Sequence, residues 1–176
     1  MVVFFGEENA VSRGAKIKAL QGFFNEPEGS MPKALTMLED GSLGGKGSEN
    51  LIVSGHGNQN NFGAVGITGD KLFATFKEKG LTKKRFAKIY LMGCNVGLQA
   101  QDNSVVENFA KDFARCVNTD EDTAGIKVYA PRGILTFTME DKIVSGQTVK
   151  TATAINVACP EKTYTLSEGL TLVNPS

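Results

Sequence analysis

The chain alternates short, largely apolar runs with longer segments in which apolar residues recur every three or four positions. The runs are "VVFF" (2–5), "NLIVSG" (50–55), "KIYLM" (88–92) and "IKVYAP" (126–131). Each is too short for a buried helix and is bounded by Gly, Pro or polar residues, so each predicts a buried strand. Between 10 and 24, Ile17, Leu20 and Phe24 keep helical spacing, with Ala19 and Phe23 beside them. "GDKLFATFKEKG" (69–80) puts Leu72, Phe73 and Phe76 on one helical face, with Gly80 as a C-terminal stop. In "SVVENFAKDFARCVN" (104–118), Ser104 and Glu107 have capping-box spacing. Val105, Val106, Phe109, Phe113, Cys116 and Val117 supply that helix with its apolar face. "MPKALTMLED" (31–40) fits a short helix and an edge strand equally well, and "GSLGGKGS" (41–48) reads as a loop.

After Gly133 the helical spacing stops. "ILTFTMEDKIVSGQTVKTATAINVA" (134–158) alternates, rich in Thr and Val, in the manner of one or two antiparallel hairpins. Strands alternating with helices, then strands alone, predict an α/β fold with a mostly parallel sheet and C-terminal β-hairpins. The 176 residues suffice for one well-buried core. With no repeat and no interdomain linker, 1–176 is expected to be a single domain.

Composition removes several function classes. Lys+Arg and Asp+Glu balance at 19 each, and the densest basic cluster is Lys83-Lys84-Arg85, so no nucleic-acid partner is expected. No apolar stretch approaches the ~20 residues of a membrane span. "MVVFFGEEN" lacks a basic leader region, so no signal peptide is expected. Three cysteines without paired spacing argue against a disulfide framework. A cytoplasmic protein made in a reducing compartment fits these features.

The chemistry lies where two of the apolar runs end. "LIVSGHGNQN" (51–60) carries the chain's single histidine, His56, between glycines, and "KIYLMGCNVG" (88–97) sets Cys94 in the corresponding place. Ligands of open α/β sheets bind beyond the carboxyl ends of parallel strands, and consecutive strands joined by one helical crossover are usually neighbours. His56 and Cys94 are therefore expected at adjacent strand tips. A thiolate is a nucleophile, an imidazole can protonate a leaving amine, and backbone N–H groups freed by Gly57 and Gly93 can face a developing oxyanion. With one histidine, any Cys–His enzyme here must use His56.

The order strand–Ser-Gly-His-Gly, then strand–Gly-Cys-x-x-Gly, resembles the clan CD cysteine peptidases, the caspase-like superfamily that includes legumain, clostripain and the gingipains. "GITGDKLFATFKEKGLTKKRFAKIYLMGCNVG" (66–97) is most similar to the self-processing cysteine protease domains of bacterial RTX toxins. The resemblance is close over about 50–97 and looser through "VYAPRG". It implies a caspase-like three-layer sandwich and a cysteine endopeptidase acting on protein or peptide. It also implies self-processing, or delivery as a bacterial effector by a dedicated secretion system. Carried over residue by residue, Cys94 is the nucleophile, His56 the general acid/base, and the Gly57 and Cys94 amides the oxyanion hole. The family needs no metal and commonly lacks a third triad member, so no orienting carboxylate is named.

Arg132 follows the fourth strand, where such enzymes build the wall that receives the side chain before the scissile bond. An arginine there would favour an acidic residue; the other reading is a surface arginine in a Pro-Arg-Gly turn. The acidic "NTDEDTAG" (118–125) reads as a solvated loop, and it also occupies the place of the processed linker of caspases. Cys116 reads as core, and Cys159 as a strand-end residue without a role. Lys46 in "GGKGS" precedes its strand and breaks the phosphate-loop order. Inositol hexakisphosphate switches on the RTX-type relatives, held by a basic cleft. Here Lys127, Arg132, Lys142, Lys150 and Lys162 are offset by Glu140, Asp141 and Glu161, so that activator is not assigned and no cofactor is expected. Two other readings stay open: a different thiol acyl transfer such as deamidation or transpeptidation, and a catalytically silent binding module.

Overall fold

The computed structural model describes residues 2–5, 10–24, 43, 49–62, 66–97 and 107–176. The segment 31–40, Lys46 with most of its loop, and Ser104, Val105 and Val106 lie outside the described residues, as does the Ile17 side chain. The apolar runs form β1 (Val2–Phe5), β2 (Asn50–Gly55), β3 (Lys88–Met92) and β4 (Lys127–Pro131). The periodic segments form α1 (Ala10–Phe23), α2 (Gly69–Glu78) and α3 (Phe109–Thr119). Beyond them come β5 (Ile134–Val144), β6 (Gln147–Ala158), β7 (Thr163–Thr165), α4 (Leu166–Gly169) and β8 (Leu170–Leu172).

Strands β1 to β4 lie side by side in chain order, all parallel, and β8 closes the sheet antiparallel to β4. Strands β5, β6 and β7 form a separate antiparallel sheet. The fold is thus mixed α/β, with a mostly parallel sheet and a β-rich C-terminal section. The 134–158 stretch makes one long hairpin. Its turn residues Ser145 and Gly146 both have positive φ (51° and 77°), the geometry whose twist matches flanking strands.

Alternation along β2 and β3 sorts their side chains to two faces. Leu51, Val53, Ile89 and Leu91 join α2 and α3 in one buried cluster; Ile52 and Met92 join Leu20 of α1 with Leu135 and Val157 in another. In the first cluster Phe113 meets Phe73 and Phe76 edge-on, at 6.2 and 5.9 Å between ring centres. A buried ring of this kind contributes about 3–5 kcal/mol relative to alanine. Gly80, past the end of α2, has φ +96°, as its reading as a helix stop requires.

Three local expectations are corrected. Helix α3 starts at Phe109 with Asn108 as its cap, whose side-chain oxygen accepts the Lys111 N–H at 2.9 Å. Glu107 therefore precedes the helix and pairs with Arg115 (2.9 Å) and Lys111 (3.4 Å), so it cannot serve as the third helical residue of a capping box. Cys116 is half-buried rather than core, its thiol pushed up by burial and then by Asp70 and Asp112. Helix α4 breaks the expected run of strands; it spans 4 residues, too few for a period to show. Its one local sign is Thr165 three residues before Glu168, whose carboxylate accepts the Thr165 N–H at 3.3 Å and its hydroxyl at 3.1 Å.

Candidate functional site

Strands β2 and β3 pair in parallel register, with Ser54 opposite Met92 as the last matched residues. His56 stands two positions beyond Ser54 and Cys94 two beyond Met92, so both follow adjacent strands at the same carboxyl end. Cys94 packs against the cluster holding Ile52, Met92 and Leu135, on the sheet face covered by α1 and the second sheet. His56 is exposed and Cys94 half-buried.

The glycines flanking this pair are required by close approach. A Cβ on Gly93 would stand 2.5 Å from the Phe62 ring. A Cβ on Gly57 would stand 2.6 Å from Val96 Cγ1, 3.2 Å from the Cys94 carbonyl oxygen and 3.3 Å from the Cys94 nitrogen. The two motif backbones are therefore packed directly together. Gly57 also bridges Phe62, and that bridge is closed by the Asn58 N–H to the Asn61 carbonyl at 2.9 Å, so it does not use the Gly57 N–H. The Asn58 side-chain oxygen accepts the N–H groups of Asn60 (2.8 Å) and Asn61 (2.9 Å), which fixes the loop after His56.

The loops are braced from two other sides. The first-turn amides of α3, which need partners outside the helix, donate to one carbonyl from each loop: Phe109 N–H to Gln59 at 2.7 Å and Ala110 N–H to Val96 at 3.0 Å. From the β4–β5 corner, the Gly133 carbonyl accepts the Asn95 N–H at 2.8 Å and the Pro131 carbonyl accepts the Gly97 N–H at 3.1 Å. Asn95 takes φ +56°, one of the few conformations where asparagine substitutes for glycine, and so turns the chain sharply after Cys94. The Cys94 thiol donates to the Leu135 carbonyl of β5 at 3.6 Å. A main-chain acceptor 41 residues away leaves no mark in sequence pattern, so this contact was not legible.

Arg132 lies just past β4, beside the strand that leads to Cys94, and is half-buried. Its guanidinium stacks on the Tyr164 ring at 4.3 Å, with Lys162 at 4.4 Å from the same ring. The Tyr164 hydroxyl donates to Glu161 at 2.8 Å. Glu161 is held below the usual carboxylate range by its own backbone and by Tyr164, with Arg132 adding to it. Among the described residues the buried Arg132 Nε has no acceptor. The plain surface-turn reading is thus replaced by a stacked, partly enclosed arginine. Cys159, with its thiol pushed up by burial, lies where a Cβ on Gly133 would meet it at 2.8 Å.

The acidic loop is a fixed structure. Lys77 bridges Asp120 (2.8 Å) and Asp122 (3.0 Å), Lys83 Nζ reaches the Glu121 carbonyl at 2.6 Å, and the buried Thr123 hydroxyl donates to Val117 at 2.9 Å. Of the basic residues of the C-terminal half, Arg132 and Lys162 meet on the Tyr164 ring, while two others stand apart or are neutralised. Lys127 begins β4 while Arg132 follows its far end, and Lys150 is paired with Asp141 at 2.9 Å. Two grooves, of about 440 Å³ between α1 and β6 and about 410 Å³ beside the last residues of the chain, include neither His56 nor Cys94. Among the described residues no cluster of His, Cys, Asp and Glu could hold a metal, and no helix is long and apolar enough to cross a membrane.

Comparison with family models, with curated proteins and with solved structures finds no match to this chain.

Proposed function

We propose that this chain is a cysteine endopeptidase of the caspase-like type, with Cys94 as nucleophile and His56 as general acid/base. One observation carries the reading. The chain's single histidine and Cys94 stand at matching positions beyond adjacent parallel strands, with Gly57 packed on the Cys94 backbone. The parallel β1–β4 sheet and the paired clusters on its faces support the caspase-like sandwich on the same terms.

In the first half of the reaction, the Cys94 thiol leaves the Leu135 carbonyl and passes its proton to His56. The thiolate then adds to the peptide carbonyl carbon, and the oxygen takes the π electron pair. The Gly57 and Cys94 N–H groups would hold that oxyanion; a donor of this kind is worth about 10²–10³ in rate. His56 returns the proton to the departing amine as the C–N bond breaks, leaving a thioester on Cys94. In the second half His56 takes a proton from water as the water oxygen adds to the thioester carbonyl; the C–S bond then breaks, the acid product leaves and gives its proton to solvent, and His56 returns its proton to the Cys94 sulfur. No step needs a metal.

The test is an unbiased peptide library incubated with the protein and read by mass spectrometry. New amino and carboxyl ends that disappear with Cys94→Ala support hydrolysis. Loss of side-chain ammonia or joining of peptides would reassign the dyad to deamidation or transpeptidation. An unchanged library would leave a binding module and end the peptidase reading.

A further inference from the structure

The peptide unit between Cys94 and Asn95 is gripped from both sides. Its N–H donates to the Gly133 carbonyl at 2.8 Å, and its carbonyl oxygen lies 3.2 Å from where a Cβ on Gly57 would stand. One side belongs to the loop that carries His56, the other to the corner that leads into β5. The acceptor is itself closely backed: a Cβ on Gly133 would run into the Ala158 carbonyl oxygen and stand 2.8 Å from the Cys159 sulfur. Two residues on, the Leu135 carbonyl accepts the Cys94 thiol at 3.6 Å. Consecutive residues of the loop are thus held by two carbonyls of one short segment, 133 and 135.

The residue that closes this grip is in the left-handed region. Asn95 has φ +56°, and among the described residues Ser145 is the only other residue besides glycine found there. Ser145 serves a hairpin turn, whereas Asn95 directly follows the candidate nucleophile. Left-handed backbone disfavours an ordinary residue by about five- to thirtyfold. Such strain persists where surrounding contacts over-determine it, and it gathers at functional sites. The chain places glycine at 93 and 97 but asparagine at 95, which tolerates the turn without glycine's added freedom. Downstream, the Val96 carbonyl is held by the Ala110 N–H and the Gly97 N–H by Pro131. If residue 95 leaves the left-handed region, the Cys94–Asn95 peptide plane must therefore rotate, and Cys94 moves with it.

We infer that Asn95 is a positioning residue: its left-handed backbone holds that peptide plane between the His56 loop and the β5 corner, and so sets the direction from which the Cys94 sulfur meets the scissile carbonyl. The effect on hydrolysis rests on the peptidase reading; the held turn stands without it.

The experiment compares Asn95→Ala, which keeps a Cβ but loses asparagine's tolerance of this region, with Asn95→Gly, which removes the cost. Asn95→Ser, equally unsuited to the turn, serves wherever a urea melt shows Asn95→Ala unfolded. Hydrogen exchange at residue 95 reads the Gly133 bond. The amide should be protected in the unsubstituted chain and in Asn95→Gly, and about fivefold or more less protected in Asn95→Ala. Alkylation of Cys94 by iodoacetamide, followed from mild acid to mild base, should give coincident profiles for the first two and a displaced one for Asn95→Ala. In peptide hydrolysis, Asn95→Ala should lower kcat about five- to thirtyfold with KM little changed, and Asn95→Gly should restore kcat. A freely exchanging amide at 95 in the unsubstituted chain overturns the inference, as does a Cys94 profile that Asn95→Ala leaves in place. Equal loss in Asn95→Gly and Asn95→Ala would assign the effect to the side-chain amide, and a rise in KM alone would make Asn95 a substrate contact; either result overturns it. If exchange and alkylation follow the turn while no peptide is ever cleaved, the positioning of Cys94 holds and only the peptidase reading fails.

Discussion

Gly57 and Cys94 touch through their backbones: a Cβ added to Gly57 would lie 3.2 Å from the Cys94 carbonyl oxygen and 3.3 Å from its nitrogen. The residue after the only histidine is therefore the spacer that sets how closely the two loops approach. Gly57→Ala should cost about 1–3 kcal/mol of stability by overpacking, mostly through the 2.6 Å contact with Val96. Adding Val96→Ala should return most of that stability in a urea melt. Turnover should stay depressed in the pair, because the added methyl still presses on the Cys94 amide. Full recovery of turnover would show that this amide spacing is not used in the reaction.

Thiol chemistry offers a second check. Burial pushes up the Cys116 and Cys159 thiols, so little thiolate forms at either near neutral pH. Brief iodoacetamide treatment of the folded protein, followed by peptide mapping, should find Cys94 modified first. Cys116 or Cys159 leading the order would count against Cys94 as nucleophile.

What was legible in the sequence follows from the range of each interaction. Strands β2 and β3 emerge at their expected residues because buried parallel strands read as unbroken apolar runs. The neighbouring tips of His56 and Cys94 followed from one helical crossover between those strands. The start of α3 was misplaced because Ser104 and Glu107 imitate a cap, while the working cap, Asn108, has no distinctive partner in sequence. Strand β8 and the Arg132–Tyr164 stack were out of reach, since both bring together parts of the chain separated by a full sheet of intervening structure.

Lys77 pins the α3–β4 loop to α2, and its titration gives a pH signature. Asp120 is held below its ordinary value of 3.8, first by the Lys77 hydrogen bond, while Lys77 is raised above 10.5 by Asp120 and then Asp122. A lowered carboxylate contributes stability above its unfolded value and loses it as pH falls through the lower folded value. A raised lysine contributes below its unfolded value and loses it as pH rises through the higher folded one. Lys77→Met should therefore lower the melting temperature at pH 7, and the gap to the unsubstituted protein should close as the pH falls below the ordinary Asp value of 3.8 and through the lower folded one. A gap unchanged between pH 7 and strong acid would mean that the pair is not coupled to folding.

Arg132 has two separable contributions. Loss of its stack on Tyr164 in Arg132→Ala should cost about 0.5–2 kcal/mol in a denaturant melt. If its guanidinium also lines the substrate cleft, the same change should abolish preference for Asp or Glu before the scissile bond while leaving alkylation of Cys94 intact. A cleavage profile with leucine or a basic residue in that position would restrict Arg132 to the structural stack.

The meeting of Cys94 and His56 on one substrate is tested most directly by a double-mutant cycle on peptide hydrolysis. Residues that act as a unit are strongly non-additive. Cys94→Ala, His56→Ala and the double variant are expected to fall to one common floor, each losing about 10³-fold or more in kcat/KM. Turnover that survives His56→Ala, or a double variant that falls by the product of two independent losses, would contradict a shared site.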